Sequence, residues 1–337
     1  MLRYPRHEIP AVLTSAKQQA VERILAAPRK APRRVIHTVS THPQHNLVGV
    51  GIGPKMVKGK PTSRPSVRLY VIRKLDKDLI SRENILPTHI DGVETDVIET
   101  GRFRAQAPAP AARKRRRPAQ PGCSVGFQLP APHDDLIMAG TLGALVARGA
   151  THFILSNNHV LANENSLPIG SAIYQPGLLD HGNPATDAIA RLSQFVPLSA
   201  GTPNRVDCAI AELTDLDLGR ARGMSKVGKL SGDQPLDAVQ GARVEKVGRG
   251  TGYTTGAVFD VSATVTLDYE LGELQFVDQV LIRGDSGEFS AYGDSGAIVV
   301  DVKSRQAIGL LIGGTTEYSV VNHLGDVLTE LGVSLMI

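Results

Sequence analysis

The chain has 337 residues, more than the roughly 100–200 of an average domain, so one large domain with a smaller companion is the expected organisation. Hydrophobic residues make up 42% but aromatics only 4%, with no tryptophan, so the core must be aliphatic; 34 glycines and 21 prolines favour the many turns of a mainly β architecture. The net charge of +4 gives no electrostatic case for a nucleic-acid partner, and only two cysteines, Cys123 and Cys208, argue against a disulfide framework and for a reducing compartment.

In chain order, residues 1–7 are basic but lack the apolar stretch of a secretory signal, and no run approaches the ~20 apolar residues of a membrane span, so a soluble cytoplasmic protein is expected. Ala16, Ala20, Val21, Ile24 and Leu25 recur at helical spacing and predict an amphipathic helix over 14–27, with Thr14 or Ser15 as its cap. A basic connector over 28–34 precedes predicted strands at 47–53 and 67–72, a short helix at 76–83 and a strand at 93–99. Residues 1–104 are therefore expected to form a small N-terminal α+β domain.

Residues 105–121 carry four prolines, several alanines and the run Arg113-Lys114-Arg115-Arg116-Arg117, a composition that buries too little apolar surface to fold alone. A solvated linker is the expectation; contact with phosphate backbones or an anionic partner, or clipping that releases the C-terminal domain, are the alternatives. From residue 122 to the end, short apolar runs recur every 10–20 residues between Gly, Pro, Asn and Asp clusters, the texture of a sandwich or barrel, until a helix predicted over 321–331.

Three short segments carry the chemistry. Gly293-Asp294-Ser295-Gly296 puts a serine on a glycine-flanked turn, His159 ends the apolar run 153–155 and its Ser-Asn-Asn extension, and Asp207 opens the apolar run 208–213. Acyl transfer by serine needs these three side-chain types: a hydroxyl, an imidazole to deprotonate it, and a carboxylate to fix the imidazole tautomer. It also needs N–H donors for the oxyanion, and the glycine at 293 frees the turn so that the amides of Gly293 and Ser295 can converge. The order His, Asp, Ser is that of chymotrypsin rather than of subtilisin or the α/β-hydrolases, and Ala297 departs from the G-x-S-x-G elbow.

On those residues the chain from about 122 to 337 resembles a trypsin-like, chymotrypsin-fold serine peptidase. The likeness implies a double β-barrel, the first barrel carrying His159 and Asp207 and the second carrying Ser295, with spacings of 48 and 88 residues that suit two small barrels. Its N-terminal extension and the glycine-threonine turn at 248–256 are similar to a bacterial and plant subgroup that includes the narrow-leaf type of protease. The resemblance further implies that 309–314 pairs with peptide substrate, and that Phe289, six residues before Ser295, lines the base of the P1 pocket with Gly313 and Gly314 at its walls. No carboxylate stands there, so an apolar P1 preference is expected.

Two rivals arise. Gly284-Asp285-Ser286-Gly287 repeats the serine motif, but Ser286 leads into Glu288-Phe289-Ser290, no buried strand, which favours Ser295. Asp187 also opens an apolar run, but lies only 28 residues after His159, too few to complete a barrel, which favours Asp207. Residues 49–54 superficially match a dinucleotide loop, but Pro54 occupies the third-glycine position. His7, His37, His42, His45 and His89 have no cysteine or i, i+4 histidine partner, so no metal and no cofactor are expected. The expected partner is a protein or peptide substrate, with homo-oligomerisation open. An inactive peptidase-fold scaffold, or a nucleic-acid-associated protein using the basic run, are the competing functions.

Overall fold

The computed structural model describes residues 5, 8–25, 46–58, 60–72, 74, 85–100, 103, 111–130, 137–219, 222–285 and 287–337. The predicted helix at 76–83, the connector at 28–34 and Ser286 lie outside them. Strands account for 46% of the chain and helices for 12%, so the protein is mainly β, as its glycine and proline content requires.

The N-terminal helix α1 (Ala11–Arg23) starts three residues before its predicted cap, directly after Pro10, whose fixed φ suits a helix start. Leu13, Ala16 and Ala20 are its buried face, and the two alanines let it lie close over strands β1 (Leu47–Val57) and β2 (Lys60–Val71). Alternation along β2 decides what each residue meets. Val67, Leu69 and Val71 pack beneath α1, while Tyr70 points to the opposite cluster. Strands β3 (His89–Ile90) and β4 (Val93–Glu99) complete the unit, β4 running parallel to β2 from Val67↔Thr95.

The first barrel is built from β5 (Ser124–Val125), β6 (Gly140–Thr141), β7 (Ala144–Arg148), β8 (Thr151–Ser156), β9 (Ala172–Tyr174), β10 (Ala188–Phe195) and β11 (Ala209–Leu213), with the single helical turn α2 (Asn158–Leu161) after β8. The pairing β7-β8-β11-β10-β9 continues through the bridge Gly126↔Tyr174 to the two-stranded ladder of β5 and β6, which leads along the chain into β7. The second barrel contains β12 (Arg243–Gly248), β13 (Gly252–Tyr269), β14 (Gly272–Gly284), β15 (Ile298–Asp301), β16 (Ala307–Gly314) and β17 (Tyr318–His323). Its order β12-β15-β16-β17-β14-β13 closes through an additional β12–β13 ladder. The mainly β, two-barrel architecture is the one expected from the sequence, and in the second barrel the closing ladder leaves no edge between β12 and β13 unpaired.

The C-terminal helix is shorter than expected. Residues 318–323 extend as β17, and only Leu324–Leu331 forms α3, with Leu324, Val327, Leu328 and Leu331 at i, i+3, i+4 and i+7 buried between the barrels and Gly332 ending it at φ +61°. Val320 and Val321 are better served in a ladder, where β-branched side chains pack on a pleated surface. The final strand, β18 (Ser334–Leu335), pairs with β7 and so ties the C-terminal segment back to the first barrel.

Two expectations about the N-terminal third need correcting. The solvated reading holds only in part for the described end of the linker: Lys114, Arg115 and Arg116 are exposed, but Arg115 Nε and Arg117 Nη2 reach Asp187 Oδ1 at 2.6 and 3.1 Å, Arg117 Nη1 bonds Gln175 O at 2.9 Å, and Ala119 is fully buried. Two carboxylates on the first barrel, Asp180 and Asp187, attract the basic run and lay it along the surface, with Arg113 Nε 3.6 Å from Asp180. Nor does the N-terminal sheet end at a boundary. β1 pairs with β13 at Gly49↔Val265 and Val50↔Thr264, making one ten-stranded sheet.

Buried polar contacts fasten that junction. Tyr70 donates to Asp260 Oδ2 at 2.5 Å with both side chains fully buried, and the Arg68 guanidinium stacks 4.2 Å above the Phe259 ring while donating to the carbonyls of Phe259 and Pro54. Replacing Tyr70 with Phe strips a donor from a buried carboxylate while keeping the ring. We expect urea denaturation of Y70F to show a loss of about 1–3 kcal/mol; an unchanged midpoint contradicts a fastening role.

Candidate active site

His159 lies in α2, just beyond the end of β8, and Asp207 lies just before β11; β8 and β11 are paired neighbours, with Ala209 opposite Ser156. Adjacent strand ends therefore bring the two side chains together. His159 Nδ1 donates to Asp207 Oδ2, and Asp207 Oδ1 accepts the backbone N–H of Asn158 at 2.7 Å and of His159 at 3.2 Å. The backbone of Asp207 is fixed too, its N–H donating to Asn322 Oδ1 at 2.9 Å and its carbonyl accepting from Asn157 Nδ2 at 2.8 Å. Asp187, the rival, is occupied by Arg115, Arg117 and the N–H of Asn183.

Asp207 is fully buried and His159 is 7% exposed. Burial alone depresses a histidine pKa, but the charge of Asp207 and its hydrogen bond outweigh burial and hold His159 above its ordinary value. His159 Nε2, buried and on the other side of the ring, has no hydrogen-bond partner among the described residues.

Ser295 sits on the turn that leads into β15. Gly293 and Gly296 adopt φ +94° and +91°, a region costly for any residue with a Cβ, which explains glycine on both sides of the Asp-Ser pair. Asp294 is fully buried and faces inward, where it accepts from Gly250 N at 2.7 Å, Thr251 N at 3.0 Å, Thr251 Oγ1 at 2.7 Å and Ala291 N at 2.9 Å, with Lys246 Nζ at 3.1 Å. Lys246 on β12 is itself fully buried, and desolvation lowers its pKa against the opposing pull of Asp294. The first barrel grips the same turn: Thr141 N donates to Ser295 O at 2.9 Å, and Thr141 Oγ1 to Gly293 O at 2.7 Å. Among the described residues the amides of Gly293 and Ser295 donate to no acceptor. Ser295 Oγ donates to Ile312 O at 3.3 Å rather than to His159.

The remaining expected residues divide. Gly313 and Gly314 end β16, where β15 has stopped pairing and only β17 lies alongside. Phe289 is 1% exposed and packs with Val258, Val280, Ile282 and Val299 in the second-barrel core, so its ring presents no accessible surface beside Ser295. Sequence reading missed Lys246, Thr141 and Tyr269, which donates to Asp207 Oδ2 at 2.7 Å. Nothing local marked Lys246, since its strand, Arg243–Gly248, also carries Arg243 and Glu245.

The chain is similar to known proteins over parts of its length. The family model of the Nal1 C-terminal domain matches residues 202–326, a stretch holding Asp207 and Ser295 but not His159. Protein NARROW LEAF 1 of Oryza sativa subsp. japonica is 27% identical over 307 residues, or 80% of this chain. The chain spans about half of that relative's length, 51%. Among solved structures, a glutamic acid specific serine protease is similar over 65% of this chain and 100% of its own, with a TM-score of 0.45 and 17% identity. Thermobifida fusca Protease A is similar over 64% of this chain and 97% of its own, with a TM-score of 0.44 and 15% identity. No helix among the described residues is long and apolar enough to cross a membrane, and none of their His, Cys, Asp and Glu side chains form a group of three able to hold a metal.

Two measurements check the electrostatics. In an NMR titration, His159 should lose its proton above the ordinary ~6.5, and Asp207→Asn should lower that midpoint, since burial then acts without the carboxylate; a rise would contradict the pairing. Lys246→Met leaves the buried Asp294 carboxylate without its counter-ion, and should cost about 3–5 kcal/mol in denaturant unfolding.

Proposed function

We propose that this chain is a serine endopeptidase acting through an acyl-enzyme. The observation that carries the reading is the His159–Asp207 pair with its buried Nε2 unbonded among the described residues, together with two unused amides on the Ser295 turn. A bonded Nδ1–H leaves Nε2 as the basic nitrogen, the tautomer a general base requires.

In the proposed cycle Ser295 Oγ leaves Ile312 O by rotation about χ1 and attacks the scissile carbonyl carbon, while its proton passes to His159 Nε2. The tetrahedral oxyanion accepts from the amides of Gly293 and Ser295. Collapse breaks the C–N bond as His159 returns the proton to the leaving amine, giving the acyl-enzyme. Water, deprotonated by the same nitrogen, then releases the acid. Gly313 and Gly314 would take substrate backbone on the side of β16 that β15 leaves unpaired, and Phe289 would contribute to the P1 site only as part of the buried core beneath it. The free, buried cysteines fit the proposed cytoplasmic location; burial pushes the Cys123 thiol up to about 11, far from a reactive thiolate.

One observation favours the second reading, a peptidase fold used as a scaffold: Ser295 is bonded to Ile312 O and not to His159. A hydroxyl without its base has no special reactivity, so a fluorophosphonate probe separates the two. Labelling of the wild-type chain that vanishes in Ser295→Ala and persists in Ser286→Ala is expected; folded protein that takes no label makes the chain a scaffold, and loss in Ser286→Ala moves the nucleophile.

A further inference from the structure

The hairpin of β13 and β14 has arms of 18 and 13 residues, against about 5–6 for a typical strand. It belongs to the second barrel, yet its tip crosses to the His159–Asp207 pair on the first. Two fastenings hold it there. Glu164, in the loop after α2, accepts the backbone N–H of Glu270 at 3.0 Å and of Leu271 at 2.8 Å, and Tyr269 donates its phenolic hydrogen to Asp207 Oδ2 at 2.7 Å. The Tyr269 ring stands edge-on to His159, with centroids 5.6 Å apart at 84°, and stacks on Phe276 behind it.

We propose that Tyr269 is a positioning residue that sets both the orientation and the basicity of His159 through Asp207; this rests on reading His159 as the general base. The argument is one of lone pairs. Asp207 Oδ1 is filled by two backbone N–H groups, so Oδ2 alone is left for side chains, and it serves His159 and Tyr269 together. Four donors on one carboxylate prevent it from turning about its Cβ–Cγ bond without breaking several bonds.

Basicity follows from the same geometry. A phenol donating to Oδ2 draws negative charge toward itself, so His159 feels a weaker anion than an unshared carboxylate would present. Burial, with the Asp207 charge adding to it, keeps the Tyr269 phenol protonated well beyond its ordinary range, so it remains a donor at every working pH. The titratable groups acting on His159 are Asp207 and Glu164, which raise its pKa, and Tyr269, which moderates the first. A base held too firmly protonated cannot accept from serine near neutrality; the phenol counters that excess.

Tyr269→Phe in the full chain removes the hydroxyl and keeps the ring. The expected result is an upward move of the His159 NMR midpoint by several tenths of a pH unit or more. Fluorophosphonate labelling of Ser295 should slow at neutral pH and recover toward the wild-type rate as pH rises. Site-specific 3-fluorotyrosine at position 269, a stronger donor of nearly the same shape, should move the midpoint down. Opposite shifts from two near-isosteric changes are not produced by a packing role. Midpoints that stay put, or move the same way in both variants, overturn the proposal. The histidine titration needs no enzymatic activity, so if neither variant nor wild type takes the label, the peptidase reading falls while the role of Tyr269 is still decided.

Discussion

The Ser295 turn depends on one buried charge, the Asp294 carboxylate. Turned away from solvent, it gathers four donors and the Lys246 ammonium, and no atom of that set comes from outside the second barrel. Removing such a charge from water costs several kcal/mol, and only a complete set of partners offsets this. The partners therefore specify the turn: Asp294 can point inward only if Gly250 and Thr251 lie beneath it, and Ser295 then emerges on the other side. The counter-ion is a side chain of β12, so the charge and its partner belong to one barrel.

A second set of polar contacts makes the two barrels one site. Thr141 of the first barrel grips the carbonyls of Gly293 and Ser295, and Arg249 of the second sends two bonds, at 2.5 and 2.8 Å, into Asp180 of the first. In the reverse sense, the long hairpin brings Tyr269 to Asp207. The hydroxyl and the imidazole thus belong to different barrels, and their separation is governed by contacts that cross the interface in both directions. The apolar filling between them, from Val146 and Phe153 to Leu310 and Leu331, supplies bulk adhesion without such directionality.

Much of this was legible in the sequence, and the reason is local. His159, Asp207 and Ser295 each sit beside a short apolar run, and a strand end is where such a run must stop; the barrel texture from residue 122 onward follows from the same alternation. Tyr269 was not legible because its partner is 62 residues away and is reached only through the length and register of a hairpin with several bulges. The basic run misled in the opposite way. Proline and arginine do not build a core, but they can be held against one by Asp180 and Asp187, acids that composition cannot pair with them. Phe289, six residues before the serine, lies buried among the second-barrel core residues, a placement that position alone does not give.

The junction between β1 and β13 bears on what cutting the chain would accomplish. A break between Phe103 and Ala111 severs one covalent path, but the N-terminal fragment would still share a hydrogen-bonded ladder, the Tyr70–Asp260 contact and an apolar cluster with the second barrel. Separation would strip the β13 edge and take the Tyr70 donor from Asp260, leaving that carboxylate only the backbone N–H of Ser262 among the described residues. Nicking would accordingly yield a two-fragment protein that stays assembled, with residues 47–99 behaving as an integral half of a split fold and not as a detachable pro-segment.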